Sequence, residues 1–143
     1  MKRLVVDASV AVKWLVPTLP EEADIDQALA LITQVELGEI ILHQPPHFVS
    51  EVMGVIARIS PEEAFGILSD LLNTPFFREE NSAIYTTATE LSVRFNHHLF
   101  DTLYHAVALQ TQGATLVTAD QRYYDKAKDE GQIILLQDII LSA

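Results

Sequence analysis

Four acidic residues of this 143-residue chain stand where packing alone would not choose them. Asp7 interrupts the apolar run of MKRLVVDASVAVKWLVP, at a point where another Val would bury better. Glu51 is surrounded by Phe48, Val49, Val52, Val55, Ile56 and Ile59, close to an apolar helical stripe rather than opposite it. Asp101 opens FDTLYHAVALQ, where the positive end of a helix favours a carboxylate. Asp120 follows TLVT by one residue. Asp101 and Asp120 also have plain structural readings, as a first-turn charge and as the cap of QRYYDKAKDEG. Asp7 is harder to explain so, because a carboxylate desolvated without a partner costs several kcal/mol.

Four carboxylates drawn together would repel, by about 3 kcal/mol per pair at ~5 Å and an effective dielectric of about 20. No group of four basic residues lies close enough in sequence to offset that. A divalent cation would, and hard oxygen donors hold Mg²⁺ or Mn²⁺ in preference to Zn²⁺. The acids are therefore read as candidate metal ligands, on condition that the fold brings them to one place.

The elements that must do this alternate short apolar runs with longer helical ones. Strands are expected at Arg3 to Val6, Ile40 to Leu42, Phe76 to Arg78, Thr115 to Thr118 and Ile133 to Leu136. Helices are expected at Ser9 to Leu15, Glu21 to Leu37, Phe48 to Ile59, from Ser60 to about Asn73, from Ser82 to about Phe95, Phe100 to Gln112 and Asp120 to Glu130. Ser60-Pro61-Glu62-Glu63 has the pattern of a capping box, and Gly38, Gly113 and Gly131 read as stops. Val-, Ile- and Leu-rich strands separated by helices predict an α/β fold, a parallel sheet with helices on both faces. Ligands in such folds gather outside the carboxyl ends of the strands. Asp7 and Asp120 both fall there, and would share one edge if their strands were neighbours.

Length predicts one domain, residues 1–143, without linker, repeat or low-complexity tract. The absence of cysteine excludes disulfides, thiol catalysis and Cys-based zinc sites. Lys2 and Arg3 ahead of apolar residues imitate a signal peptide, but Asp7 and Lys13 break the apolar stretch that one requires. No apolar run reaches the roughly 18 residues of a membrane span. A cytoplasmic location and no membrane association are expected. The net charge of −11 disfavours a general nucleic-acid coat protein and favours a basic partner.

The four acid-bearing segments have a counterpart. VVDASVAVKWLVP with Asp7 and Ser9, PPHFVSEVMGVI with Glu51, HHLFDTLYHAVA with Asp101, and TLVTADQRYYDKA with Thr118 and Asp120 resemble, in order and in placement, the motifs of PIN-domain ribonucleases. The resemblance spans essentially the whole chain and is closest to the toxins of VapBC-type toxin–antitoxin pairs. It implies a three-layer α/β/α sandwich around a five-stranded parallel sheet and an acidic pocket for Mg²⁺ or Mn²⁺. It also implies endoribonuclease activity on RNA, a homodimer and a cognate antitoxin. Asp7, Glu51, Asp101 and Asp120 would be the catalytic, metal-holding acids, with Ser9 and Thr118 orienting carboxylates. Many relatives carry Asn three residues after the Glu; here Gly54 stands there, as a close backbone approach or as a missing polar contact.

Of the few cations, Lys13, Arg58, Arg94 and Arg122 are candidates for phosphate contacts, Lys13 and Arg122 foremost, each with an ordinary solvated role as the alternative. Trp14 is a core or dimer residue before it is a base-stacking one, and apolar residues between Phe48 and Leu72 are candidates for a dimer or antitoxin surface. His97, His98 and His105, like His43 and His47, are read as loop or surface residues; no H-E-x-x-H spacing supports a zinc hydrolase. Two rivals remain. A haloacid-dehalogenase-type phosphatase needs a second acid two residues after Asp7, where Ser9 stands. A catalytically silent binding module would keep the fold and grip a basic, antitoxin-like partner.

Overall fold

The structure, a computed structural model, describes residues 2–18 and 23–141. Five strands, β1 (Lys2–Val6), β2 (Ile40–Gln44), β3 (Phe77–Arg78), β4 (Ala114–Thr118) and β5 (Ile133–Leu135), pair in parallel in the order β3-β2-β1-β4-β5. The seven α-helices among the described residues are α1 (Ala8–Leu15), α2 (Ile25–Glu36), α3 (Phe48–Ile59), α4 (Ala64–Asn73), α5 (Ser82–Phe95), α6 (Leu99–Gln110) and α7 (Gln121–Ala127). The predicted start of α2 at Glu21 lies outside the described residues. Six of the helices form two packing groups, α1 with α2, α3 and α4, and α5 with α6, each against the sheet, while α7 packs on β5; this is the expected α/β/α sandwich.

Parallel strands covered on both sides must be apolar throughout, and the central pair is: Leu4, Val5, Val6, Leu116 and Val117 are buried, as is Thr118. The helices cover them with one apolar stripe each, including Trp14, Leu31, Phe48, Ile56, Leu91 and Tyr104. Trp14 is thus a core residue, 7% exposed. Among the described residues no helix is long and apolar enough to cross a membrane.

Two helix starts differ from expectation. Ser60 forms no side-chain cap; Pro61–Glu63 make one 3₁₀ turn before α4. Its backbone (φ −146°, ψ 59°) is already used to end α3, with its N–H on Ile56 O, and lies outside the extended conformation an N-cap adopts. Helix α5 is capped by Asn81, not Ser82: Asn81 is extended and accepts from Ile84 N at 2.9 Å. The stop at Gly38 holds as read, with φ +78°, a conformation that costs only glycine nothing.

Candidate functional site

The strand order makes the site. The chain builds outward from β1 through β2 to β3, then returns to the other side of β1 with β4, so the order reverses between β1 and β4. Such a switch point leaves a crevice at the carboxyl ends of the two strands. Val6 pairs with Val117, and Asp7 N extends the ladder by donating to Val117 O at 3.4 Å. On the other side Gln44, fully buried, holds Val6 with both amide atoms: Val6 N donates to its Oε1 at 2.9 Å and its Nε2 donates to Val6 O at 2.7 Å. Asp7 is therefore delivered from a backbone clamped on both edges.

Its carboxylate is equally held. Ser9 Oγ donates to Oδ1 at 2.5 Å, Val10 N donates to the same oxygen at 3.3 Å as the N-cap bond of α1, and Thr118 Oγ1 donates to Oδ2. Both hydroxyls also accept from the loop that follows β4, Thr118 from Asp120 N at 3.0 Å and Ser9, across from β1, from Ala119 N at 3.2 Å. Ser9 and Thr118 thus stitch the ends of β1 and β4 together. Asp120 caps α7, its Oδ1 accepting from Tyr123 N at 3.1 Å. The plain capping role of Asp120 and its place in the site coexist, because a carboxylate offers about four lone-pair sites and the cap uses one.

Glu51 and Asp101 come from the first turns of α3 and α6. Tyr104, three residues along α6 from Asp101 and fully buried, donates its hydroxyl to Glu51 Oε1 at 2.9 Å. Its ring lies 4.7 Å from His47 and 6.4 Å from Phe48, so packing at the start of α3 fixes the hydroxyl that fixes Glu51. Asp101 Oδ2 is 3.0 Å from His97 Nε2.

All four acids line one cleft of about 530 Å³, together with Ser9, Lys13 and the apolar walls Val12 and Val55. Burial pushes the Asp7 carboxyl up from 3.8 to about 6, against the hydrogen bonds from Ser9 and Thr118, with the Asp101 charge adding to the rise. Burial likewise pushes Glu51 from 4.5 to about 7, opposed by the Tyr104 hydroxyl and reinforced by Asp101 and Asp7. Mutual repulsion of the acids is thus expressed in the site itself. The donor chemistry fits a hard divalent cation: carboxylate oxygens from four elements, gathered in one cleft. One donor atom each of His97, Asp101 and Asp120 also lie within 4.8 Å of one another.

The remaining candidates sort by position. Lys13 lines the cleft but is buried, 6% exposed, and its ammonium donates to Ala23 O at 2.8 Å. Arg122 is exposed in the first turn of α7. Arg94 pairs with Glu130. Gly54 is exposed with open space where a Cβ would stand, so no close backbone approach explains it. His98 is an exposed loop residue and His47 a half-buried one, as read from sequence. His43 and His105 correct that reading. His43 belongs to β2 and is buried, accepting from Arg3. His105 is fully buried in α6, bonded to Tyr123 and Gly131 rather than facing the cleft with Asp101. An apolar helix face against α7 and the loop after it leaves that ring no route to solvent. His97 lies in a loop as expected, yet its side chain is only 9% exposed and turned onto Asp101. The i, i+4 spacing of His97 and Asp101, and the i, i+3 spacing of Asp101 and Tyr104, were the available signals for these two. Gln44 carried no signal in the sequence.

The PIN domain family model matches residues 4–129. No curated protein matches the chain. Among solved structures, the chain is similar to VapC20 of Mycobacterium tuberculosis, described as a sarcin-ricin loop cleaving toxin. That match has a TM-score of 0.63 and 17% identity, and covers 85% of this chain and 93% of that one. A second is PAE2754 of Pyrobaculum aerophilum, with a TM-score of 0.66, 17% identity and coverage of 95% and 90%. A third is VapBC2 of Rickettsia felis, bound to a DNA fragment from their promoter, with a TM-score of 0.63, 14% identity and coverage of 93% and 96%. With the family model spanning all four acids, and the fold shared along nearly the full length of these proteins, the chain belongs to the PIN domain family.

Proposed function

We propose that this protein is a metal-dependent endoribonuclease, the toxin of a toxin–antitoxin pair, hydrolysing RNA phosphodiester bonds at the cleft of Asp7, Glu51, Asp101 and Asp120. The observation that carries the reading is the convergence of these four acids on one cleft at the β1/β4 switch point. Family membership supports the nuclease class, and the likeness to VapC20 and VapBC2 supports the toxin role and a cognate antitoxin. Mg²⁺ or Mn²⁺ is the ion that the all-oxygen donor set favours.

When bound, the cation would supply a Lewis acid that makes water a stronger nucleophile at neutral pH and offsets charge on the scissile phosphate. The chain's own residues do the rest. Asp7, Asp101 and Asp120 would hold the ion directly or through water, with Glu51 completing the set. Ser9, Thr118 and Tyr104 fix carboxylate rotamers, so no reorientation is needed when charge develops. Arg122, exposed in the first turn of α7, would receive a phosphate of the RNA, while Lys13, buried with its ammonium on Ala23 O, would act as a fixed charge in the cleft wall. A homodimer and antitoxin surface is assigned to the α3–α4 region, where Ile59, Phe65 and Leu72 are 43%, 87% and 62% exposed. We place the activity in the cytoplasm.

The test is an RNA cleavage assay with Mg²⁺ or Mn²⁺, with EDTA, and with Asp101→Asn. Cleavage that needs the metal and disappears in the variant is expected. Equal cleavage by Asp101→Asn would remove the assignment. The silent-module reading gains only from Gly54, which offers no polar side chain one turn after Glu51 on α3; it requires metal binding without cleavage.

A further inference from the structure

His97 lies close enough to Asp101 and Asp120 to be counted as a third ligand for a cation. Its hydrogen bonds give it another role. Lys126 Nζ stands 3.2 Å from His97 Nδ1. An ammonium has donors only, so Nδ1 must be the nitrogen without a proton. The ring proton then sits on Nε2, which is 3.0 Å from Asp101 Oδ2 and donates to it. A nitrogen that carries its proton has no lone pair to give a metal.

Resting on the metal-site reading above, we propose that His97, held as its Nε2–H tautomer between Lys126 and Asp101, is a positioning residue for Asp101: it holds that carboxylate, relays part of the lysine charge to it, and withholds an imidazole ligand from the cleft.

The surroundings are built to hold the ring still. Helix α5 ends with Asn96 in the left-handed conformation (φ 48°), which Asn adopts more readily than other side-chain-bearing residues and which reverses the chain. Ser92 then clamps the next residue twice, its Oγ donating to His97 O at 2.5 Å and its carbonyl accepting from His97 N at 3.1 Å. The imidazole rests on the Tyr123 ring, centroids 4.8 Å apart. Tyr123 is fixed in turn. His105 gives its Nε2 proton to Gly131 O at 2.8 Å, so its Nδ1 accepts the Tyr123 hydroxyl, also at 2.8 Å. Tyr123 N is the group that caps onto Asp120. One tyrosine therefore supports His97 behind Asp101 and orients Asp120 directly.

The arrangement bears on which ion binds. Imidazole suits Zn²⁺, whereas carboxylate and water suit Mg²⁺ and Mn²⁺. With Lys126 in place the donor set stays all oxygen. Without it, Nδ1 can take the proton when a softer ion competes for Nε2, and the imidazole can then offer a lone pair to the cleft.

The test uses the full chain, metal-free, as wild type, His97→Phe, His97→Gln and Lys126→Met. ¹⁵N-detected imidazole spectra report the tautomer of His97, and calorimetric titration with Mn²⁺ and with Zn²⁺ reports affinity, neither requiring cleavage. Wild type is expected to show the Nε2–H form. His97→Phe should bind Mn²⁺ at least about tenfold more weakly, the usual scale for loss of a group that orients a ligand. His97→Gln, whose amide can still donate, should recover most of that. Metal-free Lys126→Met should keep the Nε2–H form, which Asp101 still accepts, but should show Nδ1–H once Zn²⁺ is added, with a higher Zn²⁺-to-Mn²⁺ affinity ratio than wild type. An Nδ1–H tautomer in wild type, or His97→Phe binding Mn²⁺ as wild type does, overturns this role and leaves the four-acid site standing. Should His97→Phe not fold, an unchanged Zn²⁺-to-Mn²⁺ affinity ratio in Lys126→Met overturns it equally. Wild type binding neither Mn²⁺ nor Mg²⁺ would remove the metal site and this inference together.

Discussion

Replacing Asp7 with Asn should make the metal-free protein more stable, not less, and only above mildly acidic pH. Asn caps a helix about as well as Asp, so Val10 N keeps its acceptor and the shape of the site is retained. What is lost is one charge from a crowded cleft. The Asp7 carboxyl, pushed by burial from 3.8 to about 6, binds its proton more tightly in the folded than in the unfolded chain. The cost of ionising it is therefore absent below about pH 4, grows as pH rises toward 6, and is complete above that. At about 1.4 kcal/mol per pH unit the interval amounts to about 3 kcal/mol. The Asn amide satisfies the Ser9 and Thr118 hydroxyls less well than a carboxylate, which returns about 1–2 kcal/mol of that. A net gain of about 1–2 kcal/mol at pH 8 remains, or about 3–6 °C in melting temperature for a chain of this size. The assay is thermal unfolding of EDTA-treated wild type and Asp7→Asn at pH 4 and pH 8. The variant should melt higher at pH 8 and nearly together with wild type at pH 4. Adding Mg²⁺ or Mn²⁺ at pH 8 should raise wild type and leave Asp7→Asn almost unmoved. A metal-free variant that is less stable at pH 8 would show that Asp7 is a satisfied structural charge, and the case for a cation would lose its physical basis.

Thr118→Val keeps the shape of a buried strand residue but removes the hydroxyl on Asp7 Oδ2; since that bond lowers the Asp7 carboxyl, the pH at which Mn²⁺ binding is half lost should rise by about 1 unit, measured by calorimetry across pH. Tyr104→Phe keeps the ring packed against His47 and Phe48 while freeing Glu51 Oε1, so Glu51 should titrate above its present value of about 7, read by carboxyl ¹³C shifts. Gly54→Ala fills open space in an exposed helical turn and should stabilise by about 0.5–1 kcal/mol in denaturant melts without altering RNA cleavage.

Much of the scaffold could be read without coordinates, because the signals involved are local. The spacing of apolar residues in Phe48–Ile59 defines α3 to the residue, and the strands fall within one or two residues of expectation at each end. The errors are at helix starts. Ser60 and Ser82 have the right chemistry to cap, but whether a hydroxyl reaches an N–H depends on backbone angles that neighbouring elements impose; Asn81 and the 3₁₀ turn won those positions. Histidine was misread for a related reason. His105 shares a helix with Asp101, yet its polarity is satisfied inside by Tyr123 and Gly131, partners 18 and 26 residues away.

The sequence by itself determined which residue types stood at the ends of β1 and β4 and in the first turns of α3 and α6, since these follow from chain-local periodicity and from the odd placement of an acid in apolar surroundings. Only the tertiary structure decided that β1 and β4 are neighbours, that Thr118 reaches Asp7 across 111 residues, that Gln44 clamps Val6, and that Lys126 and Tyr123 hold His97 behind Asp101. Hydrogen bonds between distant side chains exist only once strand order and helix packing have been settled. The order is settled by burying the whole apolar surface at once, a sum over the entire chain that no single stretch of residues contains.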